Sequence, residues 1–251
     1  MTNLGQWRGL KPREPVINGN HPITRGLVFD GLCYEGRGTT VKDFAGGLIG
    51  TVNASGATWE QNYYGNDLVY SAAASSVDFT LPSGSKLESL TQMSYEMLVD
   101  MTGLGGSSLG RIFQKGSTNG YFLVFASSST VLQINNGRNT TAGVWTFPFT
   151  ENVWHHIVVT YDSSSTSNNP VVYVDGLKVT VTTSTAPVGT VASDNADFGI
   201  GNRVSDHARN WAGKISYVRA WSRILNQPEV TDLNENPWCI YRQPGLLNTS
   251  G

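Results

Sequence analysis

Hydrophobic and polar residues alternate along most of the chain with the period of two that is typical of β-strands. The clearest segment is 153–161, where β-branched and aromatic residues form an almost unbroken run. Alternation places Trp154, His156 and Val158 on one face and the residues between them on the other. Because both faces are largely apolar, the pattern predicts a strand that is covered on both sides.

A hairpin is predicted directly after this strand. A polar loop over 162–170 leads to a returning strand over 171–174. The pair Asp175-Gly176 follows, and these residue types favour the positive φ angles of a tight hairpin turn. One further strand is expected over 177–183. The region is therefore a β-hairpin without a catalytic motif.

Similar strand patterns recur through the chain and are separated by Gly, Ser and Asn turns. They predict strands at 27–33, 48–52, 68–70, 77–81, 93–101, 111–115, 121–126, 131–135 and 144–149. Strands and turns at this spacing, with almost no helical period, predict an all-β fold, a two-sheet antiparallel jelly-roll sandwich. A short C-terminal helix is the exception. It is predicted from an Asn226 N-cap, Pro228 in the first turn and Glu229 completing a capping box.

Composition and charge fit a β-sandwich and exclude some partners. Hydrophobic residues make up 39% of the chain and charged residues only 14%, against about 25% charged residues in typical globular proteins. The net charge of −2 gives no general reason to expect nucleic acid or an anionic membrane as partner. The first residues lack the apolar stretch of a secretion signal, so none is expected here. Cys33 and Cys239 are expected to be reduced thiols, with a bridge as the alternative.

Residues 1–25 form a segment of a different kind. Several Pro and Gly residues exclude a helix or an interior strand. Its apolar side chains nevertheless suggest an extended arm that packs on its own domain or on a neighbouring protein. These side chains are Trp7, Leu10, Val16 and Ile17. The expected organisation is an arm over 1–25, one jelly-roll domain over 26–236 and a tail over 237–251.

Several motifs together resemble a known family. WHHIVVTYD at 154–162 and VVYVDG at 171–176 resemble the signature of the laminin-G-like, concanavalin A-like jelly-roll superfamily. DFGIGN at 197–202, WAGKISYVRAWSR at 211–223 and the segment 26–53 resemble other parts of the same family. The resemblance implies the fold over about 26–236. It leaves function open, since this fold hosts lectins, glycosidases, lyases and structural modules.

The glutamates and histidines of the sequence do not show the spacing of a catalytic or metal site. Enzymes of this superfamily that cleave β-glucans would show two acids on one strand face, whereas the glutamates here are scattered singly. His155 and His156 are neighbours on a strand and face opposite ways, so they cannot chelate one metal together. Structural histidines beside Trp154 are the preferred interpretation. We therefore expect no enzymatic activity.

Calcium is the one cofactor that the resemblance suggests, because several relatives bind it through loop carboxylates. Asp43 is the best candidate ligand, followed by Asp162 and Asp206. The acidic pair of the family's last strand is replaced here by Ser216 and Tyr217, which weakens the calcium hypothesis. Asp43 is equally suited to cap a turn.

Two polar segments with aromatic residues are candidate sugar-binding loops, with ordinary core packing as the alternative. The candidate residues are Trp59, Tyr63 and Tyr64 in the first segment and Asn202, Arg203 and Trp211 in the second.

Three hypotheses for function follow. The N-terminal arm and the C-terminal NPWCIYR resemble phage structural proteins that carry such a domain. The first hypothesis is therefore a non-enzymatic virion protein of the capsid decoration or fibre type, assembled in the host cytoplasm. Its arm would contact a second copy, the capsid or another virion protein. The alternative is a carbohydrate-binding, lectin-like module with a cell-surface glycan as partner, and the third is a polysaccharide hydrolase or lyase.

Overall fold

Two antiparallel β-sheets of eight and nine strands form the molecule. The computed structural model describes residues 10–53, 56–62, 65–88, 90–116, 122–191 and 197–242. The predicted all-β sandwich is confirmed. Trp7, Tyr63 and Tyr64, which were predicted to take part in assembly or sugar binding, lie outside the described residues.

Along the chain the strands join one sheet or the other in runs of one to four. The strands are β1 (Leu27–Leu32), β2 (Thr40–Lys42), β3 (Ile49–Val52), β4 (Ala57–Asn62), β5 (Gly65–Tyr70), β6 (Val77–Phe79), β7 (Gln92–Gly103), β8 (Arg111–Lys115), β9 (Phe122–Ser128), β10 (Val131–Asn136), β11 (Gly143–Pro148), β12 (Trp154–Asp162), β13 (Val171–Val174), β14 (Leu177–Val179), β15 (Thr182–Thr185), β16 (Phe198–Ile200) and β17 (Ala212–Trp221).

Each sheet has its own strand order. The eight-stranded sheet runs β14-β13-β12-β7-β17-β5-β4, and β1 pairs with the part of β17 that β5 leaves free. The nine-stranded sheet runs β15-β11-β10-β9-β8-β16-β6-β3-β2. The main core lies between the sheets and is rich in aromatic rings, with Tyr95 and Phe113 stacked at 4.5 Å between ring centroids.

A second core covers the outer face of the eight-stranded sheet. Helix α1 (Gln227–Glu235), the tail after it and the N-terminal arm pack there. The arm and the tail are joined by the bridge between Ile17 and Tyr241 and by the Arg242 N–H, which donates to the Val16 carbonyl at 2.8 Å. Trp154 and Trp221, 8% and 0% exposed, both belong to this second core.

The described part of the arm therefore packs on its own domain, which is the first of the two alternatives. Lys11 is buried, and its Nζ lies 3.4 Å from Asp67 Oδ1 and donates to the Cys33 carbonyl at 3.0 Å. Leu10 and Val16 remain 57% and 51% exposed. Cys33 and Cys239 are both free thiols.

The hairpin after β12 confirms one prediction and corrects another. Asp175 and Gly176 have φ angles of 51° and 78° and form the tight turn between β13 and β14. The single strand expected over 177–183 is wrong, because the chain leaves the eight-stranded sheet after Val179 and enters the nine-stranded sheet at Thr182. Hydrophobic alternation alone does not reveal which sheet a strand joins.

Helix α1 begins with the predicted capping box. The Asn226 side chain accepts a hydrogen bond from the Glu229 N–H at 3.0 Å, and the Glu229 carboxylate accepts one from the Asn226 N–H at 2.9 Å. Val230 and Leu233 are buried in the second core. Among the described residues, no helix has the length and apolar character needed to span a membrane.

Candidate functional site

A row of four side chains crosses the outer face of the nine-stranded sheet, and we call it the polar row. Arg111 of β8 lies opposite Phe125 of β9, Phe125 opposite Gln133 of β10, and Gln133 opposite Thr146 of β11. The residues that alternate with these four point into the main core. The core-facing set is Val124, Leu132, Ile134, Trp145 and Phe147. The polar row therefore faces away from the main core.

Arg111 is the buried end of the polar row. It is 7% exposed, and its guanidinium lies 4.1 Å from the centroid of the Phe125 ring. Arg111 Nε donates to Gln114 Oε1 at 3.2 Å, and Nη1 donates to the Leu109 carbonyl at 3.3 Å. Neither acceptor carries a charge, and Arg111 forms no ion pair with any residue that the structure describes.

Two more arginines from the loop 202–210 join Arg111, and we call the three the arginine cluster. Arg203 is paired with Asp206, with 2.7 Å between Nε and Oδ1. Arg209 donates through Nη1 to the Ser107 carbonyl at 3.4 Å, while its buried Nε has no partner among the described residues. Burial, followed by the positive charges of Arg203 and Arg209, lowers the pKa of Arg111 to about 9, and Asp206 acts in the opposite direction.

Asn202 holds both loop arginines in place. Its Nδ2 donates to the Ala73 and Ser75 carbonyls at 2.9 and 3.0 Å. Its Oδ1 accepts from the N–H groups of Arg203 and Arg209, both at 2.8 Å. Because Asn202 is fully buried, its effect on a ligand would be to position the arginines rather than to touch the ligand.

The loop also packs directly on the sheet. A Cβ atom at Gly199 of β16 would lie 2.6 Å from Val204 Cγ2 and 2.9 Å from the Asn202 carbonyl oxygen. Only glycine permits this approach, since real Cβ contacts are longer. His207 Nε2 lies 2.8 Å from Asp78 Oδ2 on the adjacent strand β6, which fixes the far end of the loop.

Of the four described residues that were predicted to bind sugar, Asn202 and Arg203 lie at this loop, whereas Trp59 and Trp211 do not. Trp59 lies in β4, at the edge of the eight-stranded sheet, and its Nε1 donates to the Gly38 carbonyl at 2.9 Å. A strand thus replaces the loop expected there. Trp211 is fully buried, and its Nε1 donates to the Asp100 carbonyl at 3.2 Å, so its ring has no face free for a sugar. Among the described residues of this set, Arg203 belongs to the arginine cluster and Asn202 positions it.

The three candidate calcium ligands are separated and already engaged. Asp43 is buried and caps a turn, where its Oδ1 accepts from the N–H groups of Asp30 and Ala45, both at 2.9 Å. Asp162 Oδ1 accepts from the Ser164 N–H at 2.9 Å. Hydrogen bonding by Arg203 lowers the pKa of Asp206. Within the part of the chain that the structure describes, no three His, Cys, Asp or Glu residues gather as a metal site.

A network of buried charges lies beneath the arm and tail on the opposite side of the sandwich. Arg219 Nε lies 3.0 Å from Asp30 Oδ1, and Arg219 Nη1 lies 3.1 Å from Glu96 Oε2. The Tyr241 hydroxyl donates to Asp30 Oδ2 at 2.7 Å. Burial raises the pKa of Asp30 despite Arg219. For Glu96, burial is outweighed by Arg219 and His156, and its pKa is lowered.

The two histidines face opposite ways, as the strand pattern predicted. His156 Nε2 lies 3.0 Å from Glu96 Oε1 in the buried network, and His155 Nδ1 lies 2.7 Å from Asp175 Oδ2 next to the hairpin turn. Both are part of the packing of β12. The buried network is fully covered by protein, so its acids are not open to a substrate.

Sequence reasoning missed Arg111, Phe125, Gln133, Thr146 and Arg209. The strands that carry the first four were predicted, and their alternation places these residues on the face opposite the apolar ones. The register that aligns them in one row cannot be predicted from the sequence of any single strand. Arg209 is brought to the row by the loop packing at Gly199, for which the sequence gives no local signal.

The fold and its open polar face define a lectin-like jelly-roll domain. A family model described as the concanavalin A-like lectin/glucanases superfamily, Laminin_G_3, matches residues 73–231. The chain belongs to this superfamily, as its motifs suggested. No curated protein matches the sequence.

Solved structures with the same fold include binding domains and an enzyme. The binding domain of Paraclostridial Mosquitocidal Protein 1 is 13% identical with a TM-score of 0.65, covering 84% of this chain and 52% of the other. The receptor binding domain of botulinum neurotoxin type G is also 13% identical, with a TM-score of 0.60 and coverage of 84% and 51%. Trypanosoma rangeli sialidase, in complex with 2,3-difluorosialic acid, is 18% identical with a TM-score of 0.61 and coverage of 84% and 33%. The chain thus spans about half or a third of these proteins, and identities this low show the fold alone.

Proposed function

We propose that this chain is a lectin-like domain that binds carbohydrate through the outer face of the nine-stranded sheet and performs no catalysis. The polar row is the observation that carries the proposal. Gln133 and Thr146 are partly exposed and offer amide and hydroxyl groups on neighbouring strands, which are spaced about 4.8 Å apart. Asn135 stands on the same face and its Oδ1 accepts from Gln133 Nε2 at 2.9 Å. Such neutral donors and acceptors suit the hydroxyl groups of a sugar.

The acids near the row support binding rather than hydrolysis. A glycosidase of the common type needs two carboxyl groups that flank the scissile bond in an open cleft. Among the described residues of the loop and the adjoining strand β6, Asp206 is bonded to Arg203 and Asp78 to His207. Asp30 and Glu96 are sealed beneath the second core. Two of the structurally similar proteins named above are binding domains, which agrees with this assignment.

The test is a glycan array with the full chain, followed by affinity measurements on the best glycan. Gln133→Ala removes the central amide of the row, and we expect at least about tenfold weaker binding. Trp59→Ala is the control, because this residue lies in the other sheet. Weaker binding by Trp59→Ala with full binding by Gln133→Ala would place the site on β4 instead. Release of reducing ends from the bound glycan by the purified chain would contradict the absence of catalysis.

A virion role of the capsid decoration or fibre type is a second candidate, favoured by the exposed apolar side chains of the arm. Leu10 and Val16 lie beside Trp238 and Tyr241 in a depression of about 630 Å³. We propose that contacts to a second copy or another virion protein form here. Light scattering should then show an oligomer that Leu10→Ser and Val16→Ser together dissociate. A monomer in both samples would remove self-assembly from the proposal.

A further inference from the structure

We infer that the glycan bound at the polar row is acidic, and that the arginine cluster holds its carboxylate or sulfate group. This inference rests on the proposed function and adds the chemical class of the ligand. It comes from the pairing of charges in the cluster, where the Arg111 N–H donates to the Arg209 carbonyl at 2.9 Å. Among the described residues, Asp206 is the one carboxylate bonded to the guanidinium groups of Arg111, Arg203 and Arg209. The chain as a whole has a net charge of −2, so this local excess of positive charge is not a property of the overall composition.

Arg111 is the strongest indication that the cluster binds an anion. A buried charge is normally paired, because removing it from water is unfavourable without a partner of opposite sign. Arg219, which is fully buried on the other side of the sandwich, has two carboxylates. Arg111 instead has an amide oxygen, a carbonyl oxygen and the face of Phe125. An oxyanion at this position would complete the pairing that Arg219 already has.

Two donors in the cluster have no partner among the described residues. The hydrogen bonds that Arg111 forms within the described residues use Nε and Nη1, which leaves Nη2 for a ligand. The Nε of Arg209 has no partner among those residues either. Planar guanidinium groups bind carboxylates and sulfates through paired N–H donors. Gln133 and Thr146 continue the row away from Arg111, where the uncharged part of the sugar would lie.

Asp206 already shows how a carboxylate binds here. It accepts from both Nε and Nη2 of Arg203 in the paired arrangement, and its side chain is 44% exposed. A ligand carboxylate would compete with Asp206 for the cluster. Removing the charge of Asp206 should therefore strengthen the binding of an acidic glycan, while removing the charge of Arg209 should weaken it. The two variants act in opposite directions, which loss of folding cannot imitate.

The experiment uses the full chain and charged polymers with matched neutral forms. Polygalacturonate, hyaluronan and polysialic acid supply carboxylates, dextran sulfate supplies sulfates, and the carboxyl-reduced polymers and dextran are the neutral counterparts. We expect one charged polymer to bind and its neutral counterpart to bind at least about tenfold more weakly. Binding to dextran sulfate alone would identify the group as a sulfate.

Variants then test the residues. Arg209→Gln should weaken binding of the charged polymer about tenfold, and Asp206→Asn should strengthen it. Arg37→Gln is the control, because it removes an exposed charge between β1 and β2, and it should leave binding unchanged. Equal weakening by Arg37→Gln would mean non-specific charge attraction and would overturn the inference. Binding of neutral glycans from the array with no preference for the charged polymers would overturn it too, while leaving the proposed function intact. The proposed function itself fails if neither neutral nor charged glycans bind.

Discussion

The outer faces of the two sheets differ in the partners of their buried arginines. On the eight-stranded sheet, Arg219 is bonded to Asp30 and Glu96, and the arm, helix α1 and the tail cover all three residues. On the nine-stranded sheet, Arg111 rests on Phe125 without an acidic partner among the described residues. The first face is a closed second core, and the second is a polar surface on which, within the described ranges, the buried arginine lacks a carboxylate partner.

This difference shows why buried charges need to be sorted by their partners before a function is assigned. Glu96 and Asp30 resemble catalytic acids, because both are bonded to Arg219 and have shifted pKa values. Their burial identifies them as part of the packing. Arg111 is bonded to no carboxylate among the described residues, and this is what points to a ligand.

The largest effect on the free energy of unfolding is expected from breaking the buried charge network on the closed face. Arg219→Ala leaves two carboxylates buried without their cation, and we expect a loss of about 3–5 kcal/mol in the free energy of unfolding. Urea denaturation followed by tryptophan fluorescence measures this loss. Arg37→Ala, which removes an exposed arginine, is the control and should be nearly neutral. A loss below about 1 kcal/mol for Arg219→Ala would mean that the network is not sealed from water.

An intermediate effect on the free energy of unfolding is expected from crowding the contact between β16 and the loop 202–210 on the open face. Gly199→Ala places a Cβ against Val204 and the Asn202 carbonyl, and overpacking of this kind costs about 1–3 kcal/mol. Because the loop carries Arg203 and Arg209, affinity for the glycan should fall as well. Gly19→Ala is the matched control, since a Cβ there meets nothing within 4 Å. If Gly199→Ala retains both stability and affinity, the loop is not held as described.

The smallest effect on the free energy of unfolding is expected from removing the N-cap of helix α1 on the closed face. Asn226→Ala removes the side chain that accepts from the Glu229 N–H, and loss of such a cap costs about 1 kcal/mol. Thermal unfolding should show a lower Tm with unchanged glycan binding, because the helix lies on the side away from the polar row. A change in glycan affinity would show that the two faces are coupled.

The sequence predicts central strands and helix caps better than it predicts the edges of the sheets. The segment 111–115 was predicted with the bounds of β8, and the capping box of α1 was read directly from Asn226 and Glu229. Both signals are local. Strand β4 was missed because its polar residues read as a loop, and the transfer of the chain between sheets after Val179 depends on distant partners.

The candidate site follows the same rule. Alternation along β10 and β11 predicts that Gln133 and Thr146 face outward, but not that they align with Arg111 across three neighbouring strand pairs. Ladder register and loop packing are long-range properties, whereas periodicity is local. The aromatic residues that stood out in the sequence, Trp59 and Trp211, are engaged in packing instead.

The pairing of Ile17 with Tyr241 brings the two ends of the described fold to one place. A host protein that carried residues 17–241 as an insertion in one of its own loops would hold them at two neighbouring points. These two points lie on the side of the second core, and the arginine cluster lies on the far side of the sandwich. Mounted in this way, the unit would present its polar row outward, away from whatever holds it.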